Sequence, residues 1–444
     1  MKNILLLGAG RSAFVLIAYL RNQASQLGWQ LTIGDISVAH LQDMALPGTV
    51  RLLTLHIGEE GRLQAEIKAA DLVISLLPAA LHPVIARWCV QYKKHFLTAS
   101  YVSPEIKVLQ EAAYRLNLVF MMEAGLDPGL DHMSAMAAIQ RIQQAGGTLT
   151  AFRSYTGGLV APESDTNPWH YKFSWNPRHV VLAGQGTAKY LEGKQIKYIP
   201  YHQLFKRVEP LQVLTLGAFD GYANRDSLLY REAYGLSDIS TLIRGTLRRQ
   251  GYCQAWHLLV ALGLTADDYV LEDSGQLTYR QFLEAFLPPA SGAQAWPHRV
   301  ADYLGIPPDS AEISRLQWLE FPPEPIGLQQ ATPAQVLEKL LTTKWALNPD
   351  DKDLVVMQHL LEYELAGRSH RLKASLVVTG EDGRQTAMAK TVGLPLGIIA
   401  RMILQGQVTR RGVLIPTHPE IYEPVLAELQ TQGIHFVEEQ EEIA

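Results

Sequence analysis

Cysteine is nearly missing from this chain: two of 444 residues, Cys89 and Cys253, lie far apart and each in an apolar neighbourhood. That excludes a disulfide framework and any thiol-based metal or redox spacing, and it suits buried thiols in a reducing compartment. Charge is sparse as well. Asp, Glu, Lys and Arg make up 19% of the chain, the formal net charge is −5, and the basic residues are scattered. Neither a basic face for nucleic acid nor a membrane-seeking stripe is readable, so neither partner is expected. No uninterrupted apolar run approaches the ~18 residues that span a bilayer. The opening MKNILLLGAGRSAFVLIAYL begins like a leader, but Gly8, Gly10 and Arg11 interrupt it and no small-residue cleavage site follows. A cytoplasmic protein is expected. Internal repeats and low-complexity tracts are also lacking.

What is present is an ordinary globular balance, 47% hydrophobic, in a chain long enough for two or three domains. The first ~120 residues alternate between strand and helix periods. Short apolar strands are expected at 2–7, 30–34, 51–57, 71–76, 95–99 and 118–122. Helices are expected at 12–26, with Gly28 as the stop, at LHPVIARWCVQY and at SPEIKVLQEAAYRL. Short strands that are apolar throughout suit a parallel sheet covered on both faces, so the fold class is α/β, Rossmann-type and doubly wound. Beyond Gly147 the texture changes. LTAFRSYTGGLV and LQVLTLGAFDGY read as strands of another sheet, and 265–344 reads as irregular helix with several prolines. Segments 371–378 and 384–389, joined by GEDG, look like a hairpin. A helix is expected over 390–404, and the last ~40 residues are expected to return to the first domain.

The segment GAGRSA follows the first strand and opens a helix, the context that a dinucleotide fingerprint requires. Gly8 permits the tight turn, Gly10 lets the backbone approach a pyrophosphate, and Ala13 takes the close-packing third position. With Ala9, Arg11 and Ser12 they form the expected phosphate cradle at a helix N-terminus. Asp35, in GDIS at the end of the second strand, suits hydrogen bonds to an adenosine ribose and repels a 2′-phosphate, which favours NAD(H). Leu76 and Leu77, in ISLLP after the fourth strand, are placed to lie along the cofactor. Ser100 and Tyr101, in TASYVSP after the fifth, have hydroxyls suited to the cleft. Ser100 fits a helix N-cap equally well.

The stretch EAGLDPGLDHM, residues 123–133, then crowds three carboxylates, a histidine, two glycines and a proline into the turn after the sixth strand. Asp127 fits an N-cap with Pro128 at the first helical position. The same place in a doubly wound sheet is where a nicotinamide ring arrives. GLDPGLDHM resembles a segment of the saccharopine reductases, the glutamate-forming saccharopine dehydrogenases. TASYVSP, SYTGGLVAPESDTNPWHYKFSW, ANRDS, IRGTLRRQG, DLVVMQH, AMAKTVGLP and RGVLIP extend the resemblance, in order, over nearly the whole chain.

The resemblance implies an NAD(P)-dependent oxidoreductase acting on a CH–NH group: reduction to saccharopine of the imine between 2-aminoadipate 6-semialdehyde and L-glutamate, or the reverse oxidation. It also implies a homodimer. The domains are then expected as a Rossmann domain over 1–125 and 390–444, a mixed-sheet substrate and dimerisation domain over 126–262 and 345–389, and a small helical domain over 263–344. Arg225, Thr246, Leu247 and Arg248 match substrate positions, as do Ser100, Tyr101 and Asp127. Leu126, Asp127, Pro128 and Trp175 match positions near the cofactor. Arginine forks suit a substrate with three carboxylates. Asp127, Tyr101 and His132 are the acid–base candidates, Asp127 first because it also suits stabilising an iminium. No metal is expected.

Two positions depart from the family pattern. Thr156 stands where fungal relatives have a cysteine in SYCGG. Asp35 stands where they carry an arginine and use NADP(H), so the resemblance implies NADP(H) and the residue implies NAD(H). A carboxyspermidine or carboxynorspermidine dehydrogenase remains an alternative, as does a nucleotide sensor of the same fold without catalysis.

Overall fold

The computed structural model describes residues 1–42, 44, 48–289 and 294–443. Residues 290–293, in the expected helical domain, and 43, 45–47 and 444, in the expected Rossmann domain, lie outside the described residues.

Two compact units are present. The first is Met1–Thr148 with Leu365–Gly367 and Leu376–Val437; the second is Leu149–Glu364 with Arg368–Ser375 and Glu438–Ala444. In the first, six strands follow in chain order: β1 (Asn3–Leu7), β2 (Gln30–Asp35), β3 (Val50–Thr54), β4 (Leu72–Ser75), β5 (His95–Thr98) and β6 (Val119–Met121). They pair in parallel, and a late strand, Gly412–Leu414, adds beside β6. The order is Gly412–Leu414, β6, β5, β4, β1, β2, β3, among the described residues. This is the doubly wound α/β sheet that the short apolar strands implied. Its core gathers Leu5, Leu7, Val73, Ile85, Cys89, Phe96 and Phe120, each at most 2% exposed. Burying each large apolar side chain stabilises the unit by about 1.5–3 kcal/mol.

Three details differ from the sequence reading. The helix Glu60–Ala69 was not anticipated; it buries only Leu63 and Ile67, too few apolar positions to print a period. SPEIKVLQEAAYRL forms two short helices, Pro104–Lys107 and Gln110–Arg115, in place of one. The helix Leu130–Gln144 belongs to the first unit, although the sequence boundary put it in the second domain. It packs against Pro419–Thr431, and the Tyr422 hydroxyl donates to Gln140.

The helix Ala387–Leu404 also belongs to the first unit. Thr386 caps it, accepting from the Ala389 N–H at 2.9 Å. That cap replaces the second strand of the hairpin expected over 384–389. Strand Arg368–Thr379 instead follows Asp353–Leu365 through Ala366–Gly367, both at positive φ, and neighbours it in the sheet. The helix is long and apolar enough to cross a membrane by length and composition, but 83% of its apolar window is buried inside the molecule.

The second unit carries a mixed sheet of nine strands among the described residues. Its main path runs Glu209–Gln212, Ala218–Ala223, Thr241–Arg249, Thr148–Val160, Asp353–Leu365, Arg368–Thr379 and Val437–Ile443. Thr241–Arg249 is parallel to Thr148–Val160 and antiparallel to Ala218–Ala223. LQVLTLGAFDGY, expected as one strand, divides into two around a tight turn at Leu214–Leu216. The segment expected as a helical domain forms helices Tyr279–Glu284, Trp296–Leu304, Ala311–Trp318 and Pro333–Lys344 within this unit.

Candidate active site

In the first unit the glycine loop leaves β1 at Gly8. Its φ is +97°, and a Cβ there would stand 2.9 Å from the Leu76 carbonyl carbon, so only glycine suits. Gly10 faces open space, with nothing within 4 Å of a would-be Cβ. The helical turn Arg11–Ala13 and the helix Phe14–Leu27 that continues it have no capping side chain among the described residues. An open glycine face before an uncapped helix N-terminus fits a dinucleotide pyrophosphate. The loop is held from behind. The Ala9 N–H donates to Asp35 Oδ2 at 2.6 Å, His40 Nε2 donates to the Ala9 carbonyl at 2.7 Å, and the Ser37 N–H donates to Asp35 Oδ1 at 3.1 Å. Asp35 therefore shapes the loop as well as standing at the end of β2. Leu76 and Leu77 follow β4 beside it, half-buried.

The turn after β6 differs from its expectation in a way that bears on chemistry. Asp127 is not the helix cap, and Pro128 is not the first helical residue. The helix starts at Leu130 with Gly129 as N-cap, after a cis Asp127–Pro128 peptide. Gly129 has φ +146°, and a Cβ on it would collide with the Gly125 backbone. The local carboxylate bond comes from Asp131, whose Oδ1 accepts from the Gly129 N–H at 2.6 Å. Asp127, relieved of capping and half-buried, accepts a hydrogen bond from the Tyr101 hydroxyl at 3.2 Å. Two of the three acid–base candidates are thus brought together.

Glu123 joins this turn to the loop after β5. Its N–H donates to the Ser100 carbonyl at 3.0 Å, its Oε1 accepts from the Val102 N–H at 3.0 Å, and its Oε2 lies 2.8 Å from His132 Nε2. His132, the third candidate, is fully enclosed at 0% exposure. A ring so placed does not meet substrate; it orients Glu123. Ser100 is not the helix cap either, because Ser103 accepts the capping bond from the Ile106 N–H at 3.3 Å.

The second unit holds the cationic candidates. Arg248 is 3% exposed, with its guanidinium 5.3 Å from the ring centres of both Tyr171 and Tyr252. Its Nη1 donates to the Leu247 carbonyl at 3.0 Å, while its Nε has no hydrogen-bond partner among the described residues. Burial pushes the Tyr222 phenol up to about 12 and raises those of Tyr171 and Tyr252. All three are neutral near pH 7, so none balances the arginine. Thr246 sits in register between Tyr222 and Thr156, and its Oγ1 accepts from Asn224 Nδ2 at 2.9 Å. The Tyr222 hydroxyl and Thr156 Oγ1 also have no partner among the described residues. Asp220, in register opposite Arg248, accepts from the Gly251 N–H, and Arg248 makes no ion pair among the described residues. Unpaired buried polar atoms around such a cation suit a socket for an anion.

Trp175 connects this socket to Arg225. Its Nε1 donates to the Tyr171 hydroxyl at 3.2 Å, and its ring lies 5.8 Å from that of His179. Burial, and next the charge of Arg225, lower the His179 pKa. Arg225 itself is exposed at positive φ (+47°). Sequence reasoning missed Tyr171, Tyr252 and His179. They lie outside the arginine motifs, and no local pattern distinguishes them from core aromatics.

Fold and glycine loop together define a Rossmann-type dinucleotide-binding protein with a second, mixed-sheet unit. The family model described as saccharopine dehydrogenase NADP binding domain matches residues 4–122, and that described as saccharopine dehydrogenase C-terminal domain matches 125–434. The chain is 32% identical to the saccharopine dehydrogenase [NADP(+), L-glutamate-forming] of Schizosaccharomyces pombe, over 99% of both. It is 34% identical to the mitochondrial alpha-aminoadipic semialdehyde synthase of Bos taurus over 98% of this chain, and spans about half, 47%, of that protein. The apo structure of saccharopine dehydrogenase (L-Glu forming) from Saccharomyces cerevisiae superposes with a TM-score of 0.88 at 31% identity, covering 99% of this chain and 100% of that one. The chain belongs to the saccharopine dehydrogenase family.

The burial of Arg248 without an ion pair among the described residues yields a prediction. Arg248→Met, an apolar replacement of similar length, is expected to keep or raise the melting temperature while substrate KM rises by about 100-fold, in line with loss of a charge-assisted contact. A clear drop in melting temperature with unchanged KM would mark Arg248 as structural.

Proposed function

We propose that this chain is a saccharopine dehydrogenase of the L-glutamate-forming type. With a nicotinamide dinucleotide it interconverts saccharopine and the imine of 2-aminoadipate 6-semialdehyde with L-glutamate, in lysine metabolism. The observation that carries the reading is the Tyr101–Asp127 hydrogen bond at the carboxyl edge of the first sheet, in a chain that matches the glutamate-forming fission-yeast enzyme over 99% of its length. The socket around Arg248 supports it further. Saccharopine has three carboxylates, and a diamine-derived substrate has less use for Arg225 and Arg248 together.

When bound, the dinucleotide supplies or accepts the hydride. The residues proposed to hold it are Gly8, Ala9, Gly10, Arg11 and Ser12 at the pyrophosphate and Asp35 at the ribose. Leu76, Leu77, Leu126, Asp127, Pro128 and Trp175 are assigned to the nicotinamide half. Ser100, Tyr101, Asp127, Arg225, Thr246, Leu247 and Arg248 are assigned to the substrate. An iminium already carries the charge that draws hydride, so that step asks for positioning more than for an acid. Asp127 stabilises the positive nitrogen as a carboxylate. As a carboxylic acid it gives a proton to the oxygen that leaves the carbinolamine as water. The Tyr101 hydroxyl fixes the carboxylate for both roles, and His132 acts through Glu123. A cytoplasmic homodimer with a Rossmann domain, a mixed-sheet domain and a helical domain over 263–344 completes the proposal.

Asp127→Asn is expected to lower saccharopine oxidation by about 10²–10⁴-fold, the usual range for a lost acid–base group. Full turnover at every pH would leave Asp127 without a catalytic role. Asp35 is proposed to favour NADH over NADPH, because its carboxylate stands where a 2′-phosphate would enter. Steady-state kinetics with both dinucleotides check this; a large preference for NADPH would overturn it, and a glutamate–diamine substrate panel run alongside identifies the amine.

A further inference from the structure

A buried chain of side chains lies behind Ser100. Ser75 ends β4 with 0% exposure, and its Oγ is 3.0 Å from Nδ1 of His82. His82 opens the helix His82–Tyr92; its side chain is 2% exposed and its ring stands edge-on to Phe96 at 6.2 Å. Its Nε2 is 2.8 Å from Ser100 Oγ and 3.3 Å from Thr98 Oγ1. The Ser100 N–H donates to that same Thr98 oxygen at 3.3 Å, and the Ser100 carbonyl accepts from Glu123. Ser100 is thus held at three atoms, two of them backbone, and His82 alone of these partners acts on its hydroxyl together with a second, deeper hydroxyl.

The chemistry of the ring decides what Ser100 presents. Burial lowers the His82 pKa to about 4, so the imidazole is neutral near pH 7, with one donor nitrogen and one acceptor. Ser75 is sealed from water, and His82 is its hydrogen-bond partner among the described residues. A buried hydroxyl proton without an acceptor is costly, so Ser75 donates to Nδ1. Thr98 is enclosed as well, at 0% exposure, but its Oγ1 is 3.3 Å from Nε2 against 3.0 Å from Ser75 Oγ to Nδ1, so Ser75 takes the ring's one acceptor nitrogen and Nε2 carries the proton that it donates to Ser100 Oγ. The Ser100 proton is left pointing away from His82. We propose that His82, oriented by Ser75, is a positioning residue that makes Ser100 a hydrogen-bond donor toward a substrate oxygen, a carboxylate or the departing carbinolamine hydroxyl. The opposite tautomer would turn Ser100 into an acceptor suited to an ammonium. The inference rests on the assignment of Ser100 to the substrate.

The test uses the full chain, with saccharopine and dinucleotide KM, kcat and melting temperature measured together. His82→Leu is expected to raise saccharopine KM by about 3- to 10-fold, the range for one lost hydrogen bond, with dinucleotide KM unchanged. His82→Gln, whose amide nitrogen stands in for Nε2, restores most of that loss. Ser75→Ala, a small change that keeps the packing, moves saccharopine KM in the same direction at unchanged melting temperature. In combination with Ser100→Ala, His82→Leu adds nothing further. If Ser100→Ala raises KM while His82→Leu and Ser75→Ala do not, or if the losses multiply, the relay is overturned alone. If Ser100→Ala itself has no effect, the assignment of Ser100 fails and the inference with it.

Discussion

The attachment of the turn after β6 to the loop after β5 is the constraint on which the rest of the first unit's chemistry depends. Glu123 makes it with two atoms, its backbone N–H on Ser100 and one carboxylate oxygen on Val102, while its other oxygen meets His132 of the helix that follows the turn. A carboxylate at 4% exposure is tolerable only because such partners replace water. Once that attachment is made, Tyr101 and Asp127 are neighbours, and the glycines at 125 and 129 let the chain fold tightly enough to keep them so. The crowding of acids in EAGLDPGLDHM thereby acquires a division of labour. Glu123 fastens, Asp131 satisfies the helix start, and Asp127 accepts from Tyr101.

The second unit solves a different problem with the same economy. A guanidinium enclosed by neutral phenols is an expense to folding; Arg248 makes no ion pair among the described residues, and the buried carboxylate in register opposite it, Asp220, is bonded to the Gly251 N–H instead. Such an arrangement is retained where an anion completes it. Neutral tyrosines around Arg248 also give the socket rigid, low-entropy walls, so a carboxylate entering it is oriented as well as attracted.

Much of the fold was readable because parallel strands buried on both faces are short and apolar throughout, and Gly8, Gly10 and Gly28 punctuate them. The late strand Gly412–Leu414 was not readable: three residues have no period, and they form a strand only because β6 offers an unpaired edge. The hairpin expected over 384–389 failed because Thr386 is a stronger helix cap than strand residue. At the site, residue types alone left Asp127 divided between cap and catalyst. The structure removes the cap alone: the helix starts from Gly129, whose N–H is taken by Asp131, four residues on from Asp127. His82 was invisible in ISLLPAALHP, since its partners come from β4 and from the loop after β5, and only the sheet brings those together.

If the attachment made by Glu123 governs the chemistry, Glu123 sets Tyr101 and Asp127 and does not hold the dinucleotide. The most direct measurement is kcat for saccharopine oxidation in Glu123→Ala, alongside the dinucleotide dissociation constant. A misplaced acid–base pair predicts a kcat loss of about 100-fold with the dissociation constant preserved. An unchanged kcat would contradict the claim.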